Sequence, residues 1–232
     1  LELQHIDRIL EKVASDPEPD FIKDVEVRTW KLLQDQGRKG RRTGLGFTAL
    51  GDAVAALGLA FDSAAALKVI DEMQKTKCMA EFDSSVDMSI ERGSFEGFNV
   101  DIENTSEFVQ MMQQEMPEVY NRMMQFGRRN ISLSTVAPTG TLSILAQTSS
   151  GIEPVYMLSY KRRRKVNPND KNQRVDFVDA MGDPWQEFEV YHPKLKLWME
   201  VTGEKDLNKS PYFGSTAPEI DWIKRVEIQS VV

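Results

Sequence analysis

The residue types best suited to chemistry are small hydroxyl residues and glycines in one segment, "VAPTGTLSILAQTSSGIEPVY". Thr139, Gly140, Thr141 and Ser143 follow Pro138, where a strand pattern gives way to a helical one. The first N–H groups of a helix have no acceptor within the helix, so they can bind an anion together with nearby hydroxyls. Glycine lets the backbone approach a phosphate closely. The segment predicts an anion site, and an ordinary strand-to-helix turn capped by hydroxyls explains it equally well.

Cysteine and histidine, which commonly act in catalysis or bind metals, are few in this chain. The chain has one cysteine, Cys78, and two histidines, His5 and His192. Cys78 lies in a long helical pattern without a neighbouring base, which favours an inert position in the core. Neither histidine has a partner pattern in the sequence. We therefore assign no residue to catalysis and none to metal binding.

The segment "TGLGFTALG" resembles a dinucleotide-binding loop because it contains Gly44, Gly46 and Gly51. Such a loop must follow a strand, whereas this segment follows the basic loop "GRKGRR". Close packing of a helix against its neighbours is therefore the favoured interpretation.

Five consecutive basic residues, Lys161 to Lys165, lie on a predicted strand. Alternation along a strand would place Arg162 and Arg164 on one face and the other three side chains on the opposite face. A solvated face is the favoured interpretation, and contact with a phosphate or a partner stays open.

The elements that position these residues are predicted to be mainly helical. Apolar spacing predicts helices over residues 3–14, 20–36, 63–92, 105–126 (divided at Pro117), 192–203 and 217–232, and the small residues of 43–63 suit a tightly packed helix. Gly93 should end the long helix. The second helix should turn Phe21, Val25 and Leu32 or Leu33 inward.

Two segments, "NISLSTVA" and "EPVYMLSYKRRRKV", are predicted to be strands because of their alternating pattern and residue types. Near the C-terminal end, Trp185, Phe188, Trp198 and Trp222 are expected to act as packing anchors.

Composition limits the classes of function. The formal charge of −7 argues against binding to nucleic acid, which normally requires a basic face. No apolar run approaches the roughly 20 residues that span a bilayer, and no export signal opens the sequence. We expect a cytoplasmic protein that binds neither nucleic acid nor a membrane.

An ordered series of segments resembles one enzyme family. "RRTGLGFTALGD", "RRNISLSTVAPTGTLSILAQTSSGIEPVY", "KRRRKVNPND", "RVDFVDAMGD" and "EFEVYHPKL" together resemble the catalytic subunit of the adenosylcobalamin-dependent, class II ribonucleotide reductases. The resemblance covers nearly the whole chain. It implies an α/β fold in which residues 1–232 form a mainly helical part, with a few strands, of a ten-stranded α/β barrel domain.

The resemblance also implies a chemistry. Members of this family, which include vitamin B12-dependent ribonucleoside-diphosphate reductases, convert ribonucleotides to 2'-deoxyribonucleotides by thiyl-radical chemistry, with adenosylcobalamin as cofactor. The expected partners are the ribonucleotide substrate and the remaining reductase polypeptide, and a homodimer of the complete enzyme is compatible with the family. The segment "PTGTLS" resembles the loop that holds the substrate phosphates. That role is carried to Pro138, Thr139, Gly140, Thr141, Leu142 and Ser143.

The chain departs from the family in its cysteines. The radical cysteine of an Asn-x-Cys-x-Glu pattern and the redox cysteine pair have no counterpart, since Cys78 lies in none of those contexts. The sequence also begins at Leu1 and stops within a helical pattern. We therefore expect both ends to lie inside a longer polypeptide and the chain alone to be inactive. The alternative is a non-catalytic binding or assembly module that complements another chain of a split reductase.

Overall fold

Most of the chain is helical in a computed structural model, which describes residues 2–167 and 173–232. The helices are α1 (Glu2–Ser15), α2 (Asp20–Gly40), α3 (Leu50–Ala56), α4 (Ala64–Arg92), α5 (Val100–Glu103), α6 (Glu107–Glu115), α7 (Pro117–Phe126), α8 (Gly140–Ala146), α9 (Pro193–Thr202) and α10 (Trp222–Val231). The strands are β1 (Ser159–Lys165), β2 (Phe177–Val178) and β3 (Pro184–Tyr191). The prediction of a mainly helical chain with a few strands is confirmed. In the ranges described, no helix has both the length and the apolar character needed to cross a membrane.

The chain divides into two compact units. The first unit consists of Leu1–Leu45 and Lys75–Thr135, and the second consists of Gly46–Gln74 and Val136–Val232. In the first unit, α4, α6 and α7 enclose a core that includes Val86, Met112 and Met123.

The second unit has two apolar clusters. One joins α3, α4 and α10 through Leu50, Ile70 and Ile228, and the other includes Leu195 of α9 and Tyr212.

Local signals explain several helix boundaries. Gly93 follows α4 with a φ of +79°, a left-handed conformation that favours glycine, so the predicted stop is confirmed. Pro117 occupies the first turn of α7, where its missing N–H costs nothing, and it divides α6 from α7 as predicted. The last helix begins at Trp222, later than predicted, because the Asp221 side chain accepts a hydrogen bond from the Ile223 N–H and caps it.

The basic run lies on β1, at one edge of an antiparallel sheet with the strand order β1-β3-β2. The five basic side chains are exposed. Arg163 donates a hydrogen bond to Glu187 at 2.8 Å, and Lys165 lies 2.5 Å from Asp183. A solvated strand with acidic partners is therefore the better description of this run.

The strand predicted at "NISLSTVA" is wrong in extent. These residues form only one parallel bridge, between Leu45 and Ser134, within the described part of the chain. The N–H groups of Thr43 and Leu45 donate to the carbonyls of Ser132 and Leu133. A longer strand would need further hydrogen-bonding neighbours. The ten-stranded barrel therefore stays a prediction.

The prediction of which side chains of α2 face inward is also wrong. Phe21 is 71% exposed, and Val25, Leu32 and Leu33 are exposed as well. Within the first unit α1 packs against a different face of α2, so the apolar face is left uncovered in the described residues. The helix also continues through most of the predicted basic loop to Gly40.

Among the expected aromatic anchors, Trp198 packs into the cluster around Leu195, and Trp185 stacks on Phe177 with ring centroids 6.4 Å apart. Trp222 is 72% exposed, and Phe188 is also exposed. For these two residues the packing prediction is wrong. The type of a large aromatic residue favours burial, but the sequence does not show which segment would cover it.

Candidate functional site

The predicted anion site lies at the start of α8, in the second unit. The helix begins at Gly140, directly after Thr139. A Cβ placed on Gly140 would meet no atom within 4 Å, and Gly140 is not among the residues with positive φ. The space beside this glycine is therefore open, and the backbone there is not strained.

The three hydroxyls of the turn differ in their surroundings. Ser143 is buried, and its hydroxyl donates to the carbonyl of Gly140 at 2.8 Å. Thr139 Oγ1 accepts a hydrogen bond from the Gly151 N–H at 2.7 Å and lies 2.8 Å from Thr48 Oγ1. Thr141 is exposed.

The remaining donors of the turn come from its backbone. The N–H groups of Gly140, Thr141 and Leu142 stand in the first turn of α8, where a helix offers no acceptor to them. Pro138 precedes the helix and is exposed. The structure thus brings the six predicted residues together in one turn and leaves the choice between an anion site and an ordinary turn open.

A buried polar cluster, which the sequence did not reveal, lies in the same unit. Asp52 Oδ1 is 2.7 Å from His192 Nε2 and accepts a hydrogen bond from the Tyr212 hydroxyl at 2.8 Å. Asp52 Oδ2 accepts from the Ser149 N–H at 2.7 Å. We call Asp52, His192, Tyr212 and Ser149 the Asp52 cluster. His192, which has no partner pattern in the sequence, therefore has a partner in the fold.

The electrostatics of the cluster keep Asp52 ionised. Burial by itself raises the pKa of Asp52, but hydrogen bonds from His192, the Ser149 N–H and Tyr212, with the charge on His192, lower the pKa below its ordinary value. Burial and the nearby Asp52 charge raise the pKa of Tyr212, so its hydroxyl stays protonated and donates. Asp52 therefore acts as a fixed hydrogen-bond acceptor for its three partners.

The Asp52 cluster is connected to the turn by residues 149–151. The Ser149 hydroxyl accepts from the Asp52 N–H at 3.2 Å, which completes a reciprocal pair between these residues. Two residues later, Gly151 donates its N–H to Thr139 and accepts from the Leu50 N–H. Segment 149–151 therefore fixes Thr139 against the start of α3.

The close approach of α3 to the segment that follows residue 148 requires a small residue at Gly51. A Cβ at this position would lie 2.7 Å from the carbonyl oxygen of Glu153, closer than real Cβ atoms approach. The predicted close packing at the glycine-rich segment is confirmed here. The sequence signal that could have indicated the cluster is an aspartate inside the apolar, small-residue helix "LGDAVAA", because a buried carboxylate requires partners.

Cys78 and the histidines do not form a reactive site. Cys78 is 5% exposed within the core of the first unit. Burial and the charge of Glu81 raise the pKa of its thiol to about 11, although Lys77 opposes the change. No group of three or more His, Cys, Asp or Glu side chains suited to a metal ion occurs in the part of the chain that the structure describes.

Comparison with known proteins identifies the family. The family model described as "Ribonucleotide reductase, barrel domain" matches residues 20–209, which include the turn and most of the Asp52 cluster. Two similar proteins are named vitamin B12-dependent ribonucleoside-diphosphate reductase, from Mycobacterium tuberculosis strains CDC 1551 / Oshkosh and ATCC 25618 / H37Rv. Each is 30% identical over 144 residues, which are 62% of this chain and 18% of the relative. The match therefore spans less than a fifth of the length of these relatives. Because the family model covers most of the chain, the chain belongs to the ribonucleotide reductase family.

Proposed function

We propose that this chain is part of a vitamin B12-dependent ribonucleotide reductase and that residues 138–143 hold the phosphate groups of its ribonucleotide substrate. The observation that carries the proposal is the open space beside Gly140, where a Cβ would touch no atom of the chain within 4 Å. Family membership and the names of the relatives support the substrate class. A phosphate in that space would meet the free N–H groups of α8 without competition from a side chain.

The six residues would contribute in different ways. Gly140 leaves room for the phosphate, and the N–H groups of Gly140, Thr141 and Leu142 donate to it. The exposed Thr141 hydroxyl supplies one further donor. Thr139 positions the turn because its hydroxyl already bonds to Gly151. Pro138 and Ser143 fix the backbone on either side.

Holding the phosphates would orient the ribose for reaction. When the substrate is bound in the reactive orientation, less entropy is lost on reaching the transition state. In well-oriented systems this lowers the activation free energy by several kcal/mol. When bound to the complete enzyme, adenosylcobalamin supplies the radical chemistry. This chain contributes orientation, and its single buried cysteine offers no pair of thiols to donate electrons.

The apolar surface of α8 supports association with the remaining reductase polypeptide. Ile144 is 80% exposed and Leu145 is 82% exposed, although both are large aliphatic residues. Neighbouring apolar side chains that face water in this way usually mark an interaction surface. The same observation favours the assembly function that the alternative interpretation assigns to the chain.

The test is the effect of Gly140→Val and Thr141→Val in the complete enzyme. Gly140→Val should raise the KM for the ribonucleotide at least tenfold, because the valine would occupy the space of the phosphate. Thr141→Val should cost about 1–3 kcal/mol of substrate affinity through one lost donor. Neither variant should lower the melting temperature, since both positions face open space.

Thr29→Val is the control, because Thr29, like Thr141, is an exposed helical threonine but lies outside residues 138–143. It should leave the KM unchanged. Normal KM values for both turn variants would mean that residues 138–143 are an ordinary strand-to-helix turn.

A further inference from the structure

A basic cavity of about 1280 Å³ lies within the first unit. Residues of α1, α2 and the end of α4, with the segments after α2, α4 and α7, line it. Five cationic side chains belong to this lining, Lys39, Arg41, Arg42, Arg92 and Arg129, and among the described lining residues Glu96 supplies the single carboxylate. This concentration of positive charge occurs in a chain with a formal charge of −7.

Hydrogen bonds fix the Arg129 side chain and the backbone of Arg41. Arg129 Nη1 donates to the carbonyls of Arg92 and Gly93 at 2.9 Å each, at the C-terminal end of α4. The Asn130 side chain donates to the carbonyl of Arg41 at 2.8 Å. Neighbouring segments therefore fix the positions of Arg129 and Arg41 in the wall of the cavity.

The positive charges repel one another in the absence of an anion. Burial lowers the pKa of the Arg129 guanidinium, and the charges on Arg41 and Arg92 lower it further. A bound anion would offset this repulsion, and several anionic groups would offset more of it than one.

Arg41 also adopts a backbone conformation that a glycine would adopt more easily. It follows α2 with φ 49° and ψ 47°, and its N–H caps the helix by bonding to the Gly37 carbonyl. Glycine is the usual residue at such a left-handed position, because other residues pay a steric cost there.

We propose that this cavity binds a small oligophosphate anion through Arg41, Arg42, Arg92 and Arg129. Guanidinium groups present paired donors that match phosphate oxygens, which makes them well suited to this ligand class. Trp30 and Phe95 also line the cavity, so a nucleoside attached to the phosphates would find aromatic surface.

The test is titration of the protein with inorganic tripolyphosphate, monitored by calorimetry and by intrinsic tryptophan fluorescence, with Trp30→Ala to identify the contribution of Trp30. Binding should be saturable and should weaken steeply as salt is raised, because the contacts are between charges. A parallel titration with a nucleoside triphosphate distinguishes the two sources of oligophosphate. Equal affinities mean that the protein recognises phosphate alone, and tighter binding of the nucleotide that is lost in Trp30→Ala means that the aromatic wall contributes.

Arg41→Gly is the decisive variant, because it removes a cavity charge and relieves the left-handed backbone. It should weaken tripolyphosphate binding roughly tenfold or more while the melting temperature is unchanged or higher. Arg42→Gln should weaken binding similarly. Arg38→Gln is the matched control, since Arg38 lies in the last turn of α2, close to Arg41 in sequence, but is not among the residues that line the cavity. Absence of binding to either ligand, or an equal loss in Arg38→Gln and Arg41→Gly, would overturn the proposal.

Discussion

The first unit buries the cation Arg128 and the second buries the anion Asp52, and the two charges are satisfied in different ways. Arg128 Nη2 lies 2.9 Å from one carboxylate oxygen of Glu103 and 3.0 Å from the other. Its other terminal nitrogen donates to the carbonyls of Asn130 and Ile131, and its guanidinium packs over Phe95. Asp52 instead accepts hydrogen bonds from a histidine, a tyrosine and a backbone N–H.

The difference indicates separate roles for the two sites. Arg128 and Glu103 compensate each other, so removal of one leaves an unpaired buried charge. Asp52 joins segments 97 to 160 residues apart, and one of them, residues 149–151, contacts Thr139 of the proposed phosphate turn. Arg128 should therefore stabilise the first unit, whereas Asp52 should both stabilise the second unit and position the turn.

The largest effect on stability is expected for Glu103→Ala. This variant leaves Arg128 buried without its carboxylate and should lower the free energy of unfolding by about 3–5 kcal/mol. Urea unfolding provides the measurement. Glu107→Ala, at an exposed glutamate of α6, is the control and should change the free energy by about 0.5 kcal/mol or less. Equal costs for both variants would show that the buried pair is not strongly coupled.

Asp52→Asn should have a smaller effect on stability but a wider effect on function. The amide keeps the volume of the carboxylate and loses its charge, which should cost about 1–3 kcal/mol of unfolding free energy. In the complete enzyme the KM for the ribonucleotide should also rise, because the support of Thr139 is weakened. Glu103→Gln should leave that KM unchanged. Equal changes in KM for Asp52→Asn and Glu103→Gln would contradict the assignment of a positioning role to Asp52 alone.

The pH dependence of stability should separate the two sites further. The pKa of Asp52 is lower in the folded chain than in the unfolded chain, so the folded state binds fewer protons and this carboxylate contributes stability above its unfolded pKa. That contribution is lost as the pH falls below about 4 and through the folded pKa. The difference in unfolding free energy between the native chain and Asp52→Asn should therefore shrink on acidification. A difference that is independent of pH from 7 to 3 would contradict the lowered pKa.

The smallest effect is expected for Cys78→Ser in the complete enzyme. Since burial raises the pKa of Cys78 to about 11 and the residue lies in the core of the first unit, it should not take part in turnover. Most of the activity should remain. Complete loss of activity in a normally folded variant would assign Cys78 a chemical role.

Local features of this fold were predictable from the sequence, and features that depend on distant partners were not. Gly93 and Pro117 act on their own backbone, so the helix boundaries at these residues followed from residue type. Phe21 and Trp222 are exposed although their types favour burial, because covering them requires another segment.

The same distinction applies to the candidate site. The residues of the turn are consecutive and could be identified by resemblance. Asp52 and His192 are 140 residues apart, and no local pattern connects them. The open space beside Gly140 also depends on the surrounding fold and could not be read from the glycine alone.

The most direct measurement of the central proposal is a structure of the complete enzyme with a bound ribonucleotide. We expect phosphate oxygens within hydrogen-bonding distance of the N–H groups of Gly140, Thr141 and Leu142, with the Thr139 hydroxyl still bonded to Gly151. Substrate phosphates bound elsewhere, with the space beside Gly140 filled by another part of the polypeptide, would contradict the assignment of this turn.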